Sequence, residues 1–526
     1  MSEVTGTSKT INLIDPGIGD ISKLPEATEL LNSDEFIIKQ NENKRLAASL
    51  LPGGAGFRID EFTYNEATED IEDVINSNQD IIAFAKPAVV DDNNVVKYFL
   101  NSNDARFKEN GEAANIYGYT SDTVVNINGT DYTVKASDFG NVVVRFPKGY
   151  FSHRYLNGKH TWRTSMYNFA GSQVHPAFMR YDDVQAKVVE VDHANIGRYE
   201  GVLFDTSQNK CVNGIYVDES ITADSATKVI TFANPVQFMA PGDVIKETTA
   251  ILGAADTVYT VATVTSDANQ QTTAITVNEA INDVATATAI SLRNDIDLAA
   301  DKLMSVSGYK PLTYISQIDA RALAGNNGSN YSQQTYADWF LIQLLAAVKF
   351  STLNIQTALG AGKTGSTSNY KYVSVTGLSD ATGLADWVDN TNNLEFAGGA
   401  SIFGIENPYG NVWKWMDGMN INDWLVSLSV DNSQFENAAS YEDTGIELPH
   451  ENGYWGMVIN TDKGIFHASI DGDSANAIGD YYYQASGAMV GRVGGYLSFG
   501  AYAGLSSLYR ASASSRSWSI GARVRS

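Results

Sequence analysis

The longest helix this chain offers runs from Tyr336 to Thr357, where Ala, Leu, Ile and Val spread over a broad face. Ser332 or Thr335 can cap its start and Gly360 can stop its end. A helix that apolar has to be buried. From Tyr370 to the C-terminus, short strands separated by Gly and Asn turns take over. A buried helix followed by a run of short strands defines an α+β chain.

At 526 residues the chain exceeds the ~250–300 residues at which single cores stop growing, so two or three domains are expected. Residues 1–50 are polar and turn-rich (Asp15-Pro16-Gly17, Gly19-Asp20) and predict an extended arm that gains order from a partner. Residues 51–140 predict an α+β attachment domain. Its elements are a strand around Phe57, Ile59 and Phe62 and an amphipathic helix over Asn65 to Ile75, with Ala67, Ile71, Val74 and Ile75 at helical spacing. A hairpin follows, Val124 to Val134, turning at Asn128-Gly129. From Ser220 to Ser291 the chain is rich in Thr, Ala and Val and almost free of aromatics. Alternation over Lys228 to Phe232, Thr257 to Val264 and Thr272 to Val277 predicts a small all-β insertion at 220–291.

Sixty-one acidic against 36 basic residues give a formal charge of −25, which repels phosphate backbones and argues against nucleic acid as a partner. The most apolar run, Trp339 to Phe350, contains Gln343 and falls short of the ~20 residues of a membrane span. No membrane insertion is expected. The opening Met-Ser-Glu-Val-Thr-Gly lacks the basic and apolar regions of a signal peptide, so synthesis in a cytoplasm is expected. Cys211 is the single cysteine, so stability has to come from packing or oligomerisation.

No motif predicts a catalytic site, metal or cofactor. Gly360-Ala361-Gly362-Lys363-Thr364 has Thr357 where a phosphate-binding loop needs its first glycine, and it follows a helix, so a helix C-terminal turn is expected. His153, His160, His175, His193, His450 and His467 show no ligand spacing; His153 and His160, beside Tyr155 and Trp162, read as hydrogen-bonded packing. Gly495-Tyr-Leu-Ser498-Phe-Gly500 is one residue too long for a nucleophile elbow, and Asp471-Gly472-Asp473 lacks the spacing of a calcium loop.

Residues 404 to 418 read Gly-Ile-Glu-Asn-Pro-Tyr-Gly-Asn-Val-Trp-Lys-Trp-Met-Asp-Gly, and the chain closes on Trp518-Ser-Ile-Gly-Ala-Arg523-Val. With His175-Pro176-Ala177-Phe178, Gly197-Arg198-Tyr199-Glu200-Gly201 and Ser305 to Pro311, this resembles the C-type-lectin-fold branch that holds the formylglycine-generating enzymes and the ligand-displaying proteins of phages and diversity-generating retroelements. The resemblance implies a C-type lectin fold over 141–219 and 292–526. Its enzymes hold copper with two late cysteines, which a chain with Cys211 alone cannot supply. A binding module follows. The resemblance gives Asn411, Trp413, Trp415, Asp417, Gly521 and Arg523 structural roles. Lys414 stands where many relatives have an acid, so no calcium ligand carries over. It places ligand contacts between Gly494-Gly495 and Gly521, at Tyr496, Ser498, Phe499, Tyr502, Leu505, Ser507 and Tyr509. Arg510 and Arg516 are expected to pair with acids or stack on rings. Tyr interleaved with Gly and Ser has the composition of a paratope.

The function expected is that of a bacteriophage virion protein, a tail or head fibre or a related appendage, that binds a host-surface receptor, glycan or protein. Its N-terminal region is expected to hold other virion proteins, and the assembly to be a homotrimer. The competing expectations are a purely structural capsid or tail decoration protein and an oxidase or glycan hydrolase.

Overall fold

The computed structural model describes residues 59–76, 79–99, 140–458, 462–476 and 478–526, with the strand backbone of 9–12, 36–39, 108–109, 112–113, 123–127 and 130–134. Strand is the dominant element among them, with short helices, which makes the class α+β. Of the expected arm, only the parallel pair Lys9–Asn12 and Phe36–Lys39 falls within the described residues. Of the hairpin expected over Val124 to Val134, the described strands Thr123–Ile127 and Thr130–Val134 pair antiparallel, and the expected turn residues lie outside the described residues.

Tyr336–Phe350 is the longest helix, and its start is fixed by a reciprocal capping box: Asp338 N donates to the Thr335 hydroxyl and Thr335 N to the Asp338 carboxylate, at 3.3 and 2.8 Å. Thirteen of its 15 residues are buried. It stops seven residues before the expected Thr357. Ser351 adopts φ 55°, and Asn354 caps a separate short helix, Ile355–Ala358. The polar Ser351-Thr352 pair before Asn354 is the turn signal that the apolar pattern overrode.

The helix expected over Asn65 to Ile75 is instead a hairpin. Strand Asp60–Asn65 turns back into Asp70–Ile75. Asn65 makes the turn: its side-chain oxygen accepts from Ala67 N at 3.0 Å and its amide donates to Glu72 at 2.7 Å. β-branched Ile71 and Val74 then pack beside Phe62, Tyr64 and Trp162. The boundary expected at 140 is also crossed, because Asp60–Asn65 pairs with Lys159–Ser165 and Lys86–Val90 pairs with Asn141–Pro147. Residues 60–99 are therefore built into the sheets of the larger domain.

Three sheets frame that domain. One, six-stranded, runs Ser332–Gln333, Val524–Arg525, His193–Gly197, Asn141–Pro147, Lys86–Val90, Val96–Phe99, so the last residues of the chain lie inside it. A five-stranded sheet holds Tyr150–Leu156 and Lys159–Ser165. The third, eight-stranded, is centred on Trp413–Asn422, Ala488–Gly494 and Gly504–Ala511. The long helix lies between them, sharing one core with Phe146, Phe178 and Met416 and another with Phe62, Trp162 and Trp455. The segment expected as an inserted β domain is a closed six-stranded barrel spanning Tyr216 to Asn294, with a core of its own. Glu395 ties it down: its buried carboxylate accepts from Phe238 N at 2.9 Å and pairs with Lys310 at 2.7 Å.

The resembling segments meet in one buried polar network. Arg523 donates to the carbonyls of Gly197, Arg198, Glu406 and Asn407. Glu200 pairs with Lys414 at 3.1 Å and accepts from the Asn411 amide, while Asp417 is held by Arg321 and by Gln317 at 3.1 Å. Trp413 and Trp415 are both buried, and the Trp415 indole donates to Ile315 O at 2.9 Å. Gly521 is needed for close approach, since a Cβ there would lie 2.9 Å from Leu312 O. Lys414 has its counter-charge in Glu200, and burial lowers its pKa to about 8.

Two outcomes follow. Trp413→Ala and Trp415→Ala should each cost ~3–5 kcal/mol in thermal or urea unfolding. Burial, aided by the Asp380 carboxylate, raises the Glu406 pKa from 4.5 to about 7. The folded state therefore holds a proton there that the unfolded state has released between those values. Stability from this group is full below pH 4.5 and lost as pH rises towards 7. Melting curves of Glu406→Gln across this window should show a flatter pH dependence than the parent; an unchanged slope would rule Glu406 out as its source.

Candidate functional site

Rings from four separate stretches converge on one side of the eight-stranded sheet. Tyr481–Tyr483 runs parallel to Gly504–Ala511, and alternation places Tyr481, Tyr483 and Tyr509 on one face. Tyr483 stacks on Tyr509 with centroids 5.1 Å apart, and Tyr481 lies 4.6 Å from Tyr483. Tyr502 joins Tyr481 at 4.5 Å and Tyr454 at 5.4 Å. Phe499 bridges Tyr483 at 5.3 Å to Tyr496 at 4.5 Å, and Tyr496 meets Trp518 at 5.7 Å. The rings form one continuous, half-exposed aromatic surface. Tyr502 is the most open of them, at 41% exposure.

The surface is seated on fixed supports. Trp413 meets Phe499 edge-on at 5.1 Å from below, and the Arg492 guanidinium lies 3.9 Å from the Tyr509 ring centroid. Burial lowers the Arg492 pKa to about 10. The loop 495–503 is tied at several points: Leu497 N donates to Asn411 O at 3.0 Å, Gly500 N to Thr364 O at 2.7 Å, and the Gln356 amide to Gly500 O at 3.1 Å. Gly494 and Gly495, at φ 91° and 75°, turn the chain into this loop; a Cβ on Gly495 would lie 2.6 Å from that of Ala503. A loop fixed in this way loses little conformational freedom when its rings are covered.

Of the seven expected contact residues, Tyr496, Phe499, Tyr502 and Tyr509 share the surface and Ser498 is partly exposed within the same loop. Leu505 and Ser507 do not belong to it. Both are buried, Leu505 with its carbonyl accepting from the Trp339 indole at 2.6 Å and Ser507 donating to Tyr481 O at 3.1 Å. Alternation alone would put Leu505 and Ser507 on the face of Tyr509, but the pairing register of this strand shifts between Gly504 and Leu508, so the phase at Tyr509 does not carry back to them. Tyr454, Tyr481, Tyr483 and Trp518 also belong to the surface, beyond the seven expected positions. The run Tyr481-Tyr482-Tyr483 was the available signal, with its outer members half-buried and Tyr482 inside. Tyr454 carried none, because only the pairing of Gly453–Tyr454 with Tyr481–Tyr483 brings it there.

Elsewhere the polar candidates are held by partners within the fold. Lys363 is fully buried and donates to Ala397 O at 2.7 Å and to Leu394 O, and burial lowers its pKa to about 7. His153 and His160 hydrogen-bond each other at 3.2 Å, and His160 meets Glu66 at 3.0 Å while stacking on Trp162. Arg516 pairs with Asp319 at 2.6 Å. Cys211 is buried, which raises its thiol pKa. Among the described residues, no three His, Cys, Asp or Glu side chains stand together as a metal site, and no helix is long and apolar enough to cross a membrane. No protein-family model matches the chain, and no curated protein matches it.

Leu505→Ala should cost ~2–5 kcal/mol of stability, as an interior leucine does. Tyr502→Ala should change stability by no more than ~0.5 kcal/mol, as a surface change does. Paired urea titrations distinguish these values; equal losses would remove the division between core and surface drawn across this strand and loop.

Proposed function

We propose that the chain is a bacteriophage virion adhesion protein whose C-terminal half is a C-type-lectin-type domain that binds a receptor on the host surface. The observation that carries this reading is the aromatic surface itself. Tyrosine offers large amphipathic contact area at low entropic cost, and aromatic residues dominate the energetic centres of protein interfaces. Tyr454, Tyr481, Tyr483, Tyr496, Phe499, Tyr502, Tyr509 and Trp518 come together from distant parts of the sequence, and no single core contact requires so many half-exposed rings in one place. The lectin-type assignment is supported by the network in which Gly197 to Gly201, Gly404 to Gly418 and Arg523 interlock, and by the chain's last strand pairing within the sheet of His193–Gly197.

In this reading the N-terminal residues join the chain to neighbouring virion proteins, and three copies present three aromatic surfaces to one cell. Repetition converts modest single-site affinity into firm attachment.

Labelled purified chain should bind cells of its host, and Tyr502→Ala and Tyr481→Ala should each lower the affinity about 30-fold, the equivalent of ~2 kcal/mol. Both variants should melt with the parent. Variants that melt normally and bind normally would move the receptor site away from this surface.

A further inference from the structure

The sheet that carries the aromatic surface has an inner side. Tyr482 pairs with Leu508 in register, both are fully buried, and Arg510 shares their face two residues further along. The Arg510 side chain is itself 0% exposed, yet Nε, Nη1 and Nη2 all lack a hydrogen-bond partner among the described residues. Arg523, equally buried, solves the same problem by donating to four backbone carbonyls. Arg510 has no such carbonyls. A guanidinium withdrawn from water with no ion pair and only a neutral hydroxyl as polar neighbour is among the least favourable arrangements in a protein interior.

The groups around it are also donors in want of acceptors. The guanidinium carbon lies 5.3 Å from the Trp424 ring centroid, and the Trp424 indole nitrogen is buried without a partner. The Tyr482 hydroxyl, buried and without a well-aligned hydrogen bond, interacts with the Arg510 side chain and brings no negative charge to it. His467, 4.6 Å from the Tyr482 ring, is kept neutral by burial and brings no negative charge. Trp424 covers the guanidinium at the tip between Trp413–Asn422 and Leu425–Leu428, held at φ 71° after Asp423 at φ 45°, and its ring stacks on the exposed His450 at 4.1 Å. A displaced indole would open the site to solvent.

We infer that Arg510, the Tyr482 hydroxyl and the Trp424 indole N–H form an internal binding site for a small monovalent anion of halide size, with chloride as the ordinary occupant. A spherical acceptor can satisfy several buried N–H and O–H donors at once.

The test is a melting series of the full chain in sodium chloride, sodium bromide and sodium gluconate at matched ionic strength, with a bromide-soaked crystal examined for anomalous scattering. Halide should raise the melting midpoint above that in gluconate with a saturable dose dependence, by roughly 5 °C when halide is a hundredfold above its Kd. A bromide peak should lie within hydrogen-bond reach of the Arg510 guanidinium. Arg510→Met should melt alike in all three salts, and Tyr482→Phe should shift the halide response to higher concentration. If Arg510→Met does not fold, the bromide position and Tyr482→Phe decide the matter. Equal wild-type midpoints in the three salts, a bromide peak only elsewhere, or a halide response retained in folded Arg510→Met would each overturn the site.

Discussion

The end of the chain is held by a single side chain on which several layers depend. Arg523 is buried and reaches the carbonyls of Gly197, Arg198, Glu406 and Asn407, so that one planar group joins the C-terminus, a central strand of the six-stranded sheet and the segment that leads into Trp413–Asn422. Five donors in a fixed fork suit this task as an ammonium would not. Loss of any one of these segments would leave polar groups of the others unpaired in a dry interior, which makes their ordering mutually dependent.

Buried charge is matched around this centre by pairs assembled from remote segments. Lys414 with Glu200, Lys310 with Glu395 and Arg321 with Asp417 each join residues at least 85 positions apart in the sequence. Such pairs add little net stability over apolar packing, but their geometry admits one arrangement of the strands. They hold the central strand rigid beneath Phe499 and Tyr509, which rest on Trp413. The outer rings can thus be half-exposed without being loose.

Much of this was legible in local chemistry, and the limits of legibility have physical causes. The cap at Thr335, the antiparallel pairing of Thr123–Ile127 with Thr130–Val134 and the β character of the insertion follow from short-range rules, which the chain obeys. Asn65 to Ile75 misled because four apolar residues matched a helical period while the Asn65 side chain closed a turn that the period cannot register. The boundary at 140 was invisible as an error, since pairing of Asp60–Asn65 with Lys159–Ser165 is a non-local event. In the aromatic surface, Tyr496, Phe499, Tyr502 and Tyr509 were reached through a motif, whereas Leu505 and Ser507, in alternation phase with Tyr509, turn inward because the strand's register shifts between Gly504 and Leu508, which no local pattern signals. Tyr454 required the pairing itself.

The barrel has a topological property that reaches beyond its packing. Its first and last strands are neighbours, Tyr216 opposite Arg293 and Val217 opposite Leu292, so the polypeptide leaves the larger domain and returns to it one strand spacing away, about 5 Å. With a closed hydrogen-bond circuit and a separate core, the excursion places almost no geometric demand on its host. A short linker could span the same gap. The barrel is thereby a cassette, open to loss, exchange or duplication in descent without the host sheet having to change register.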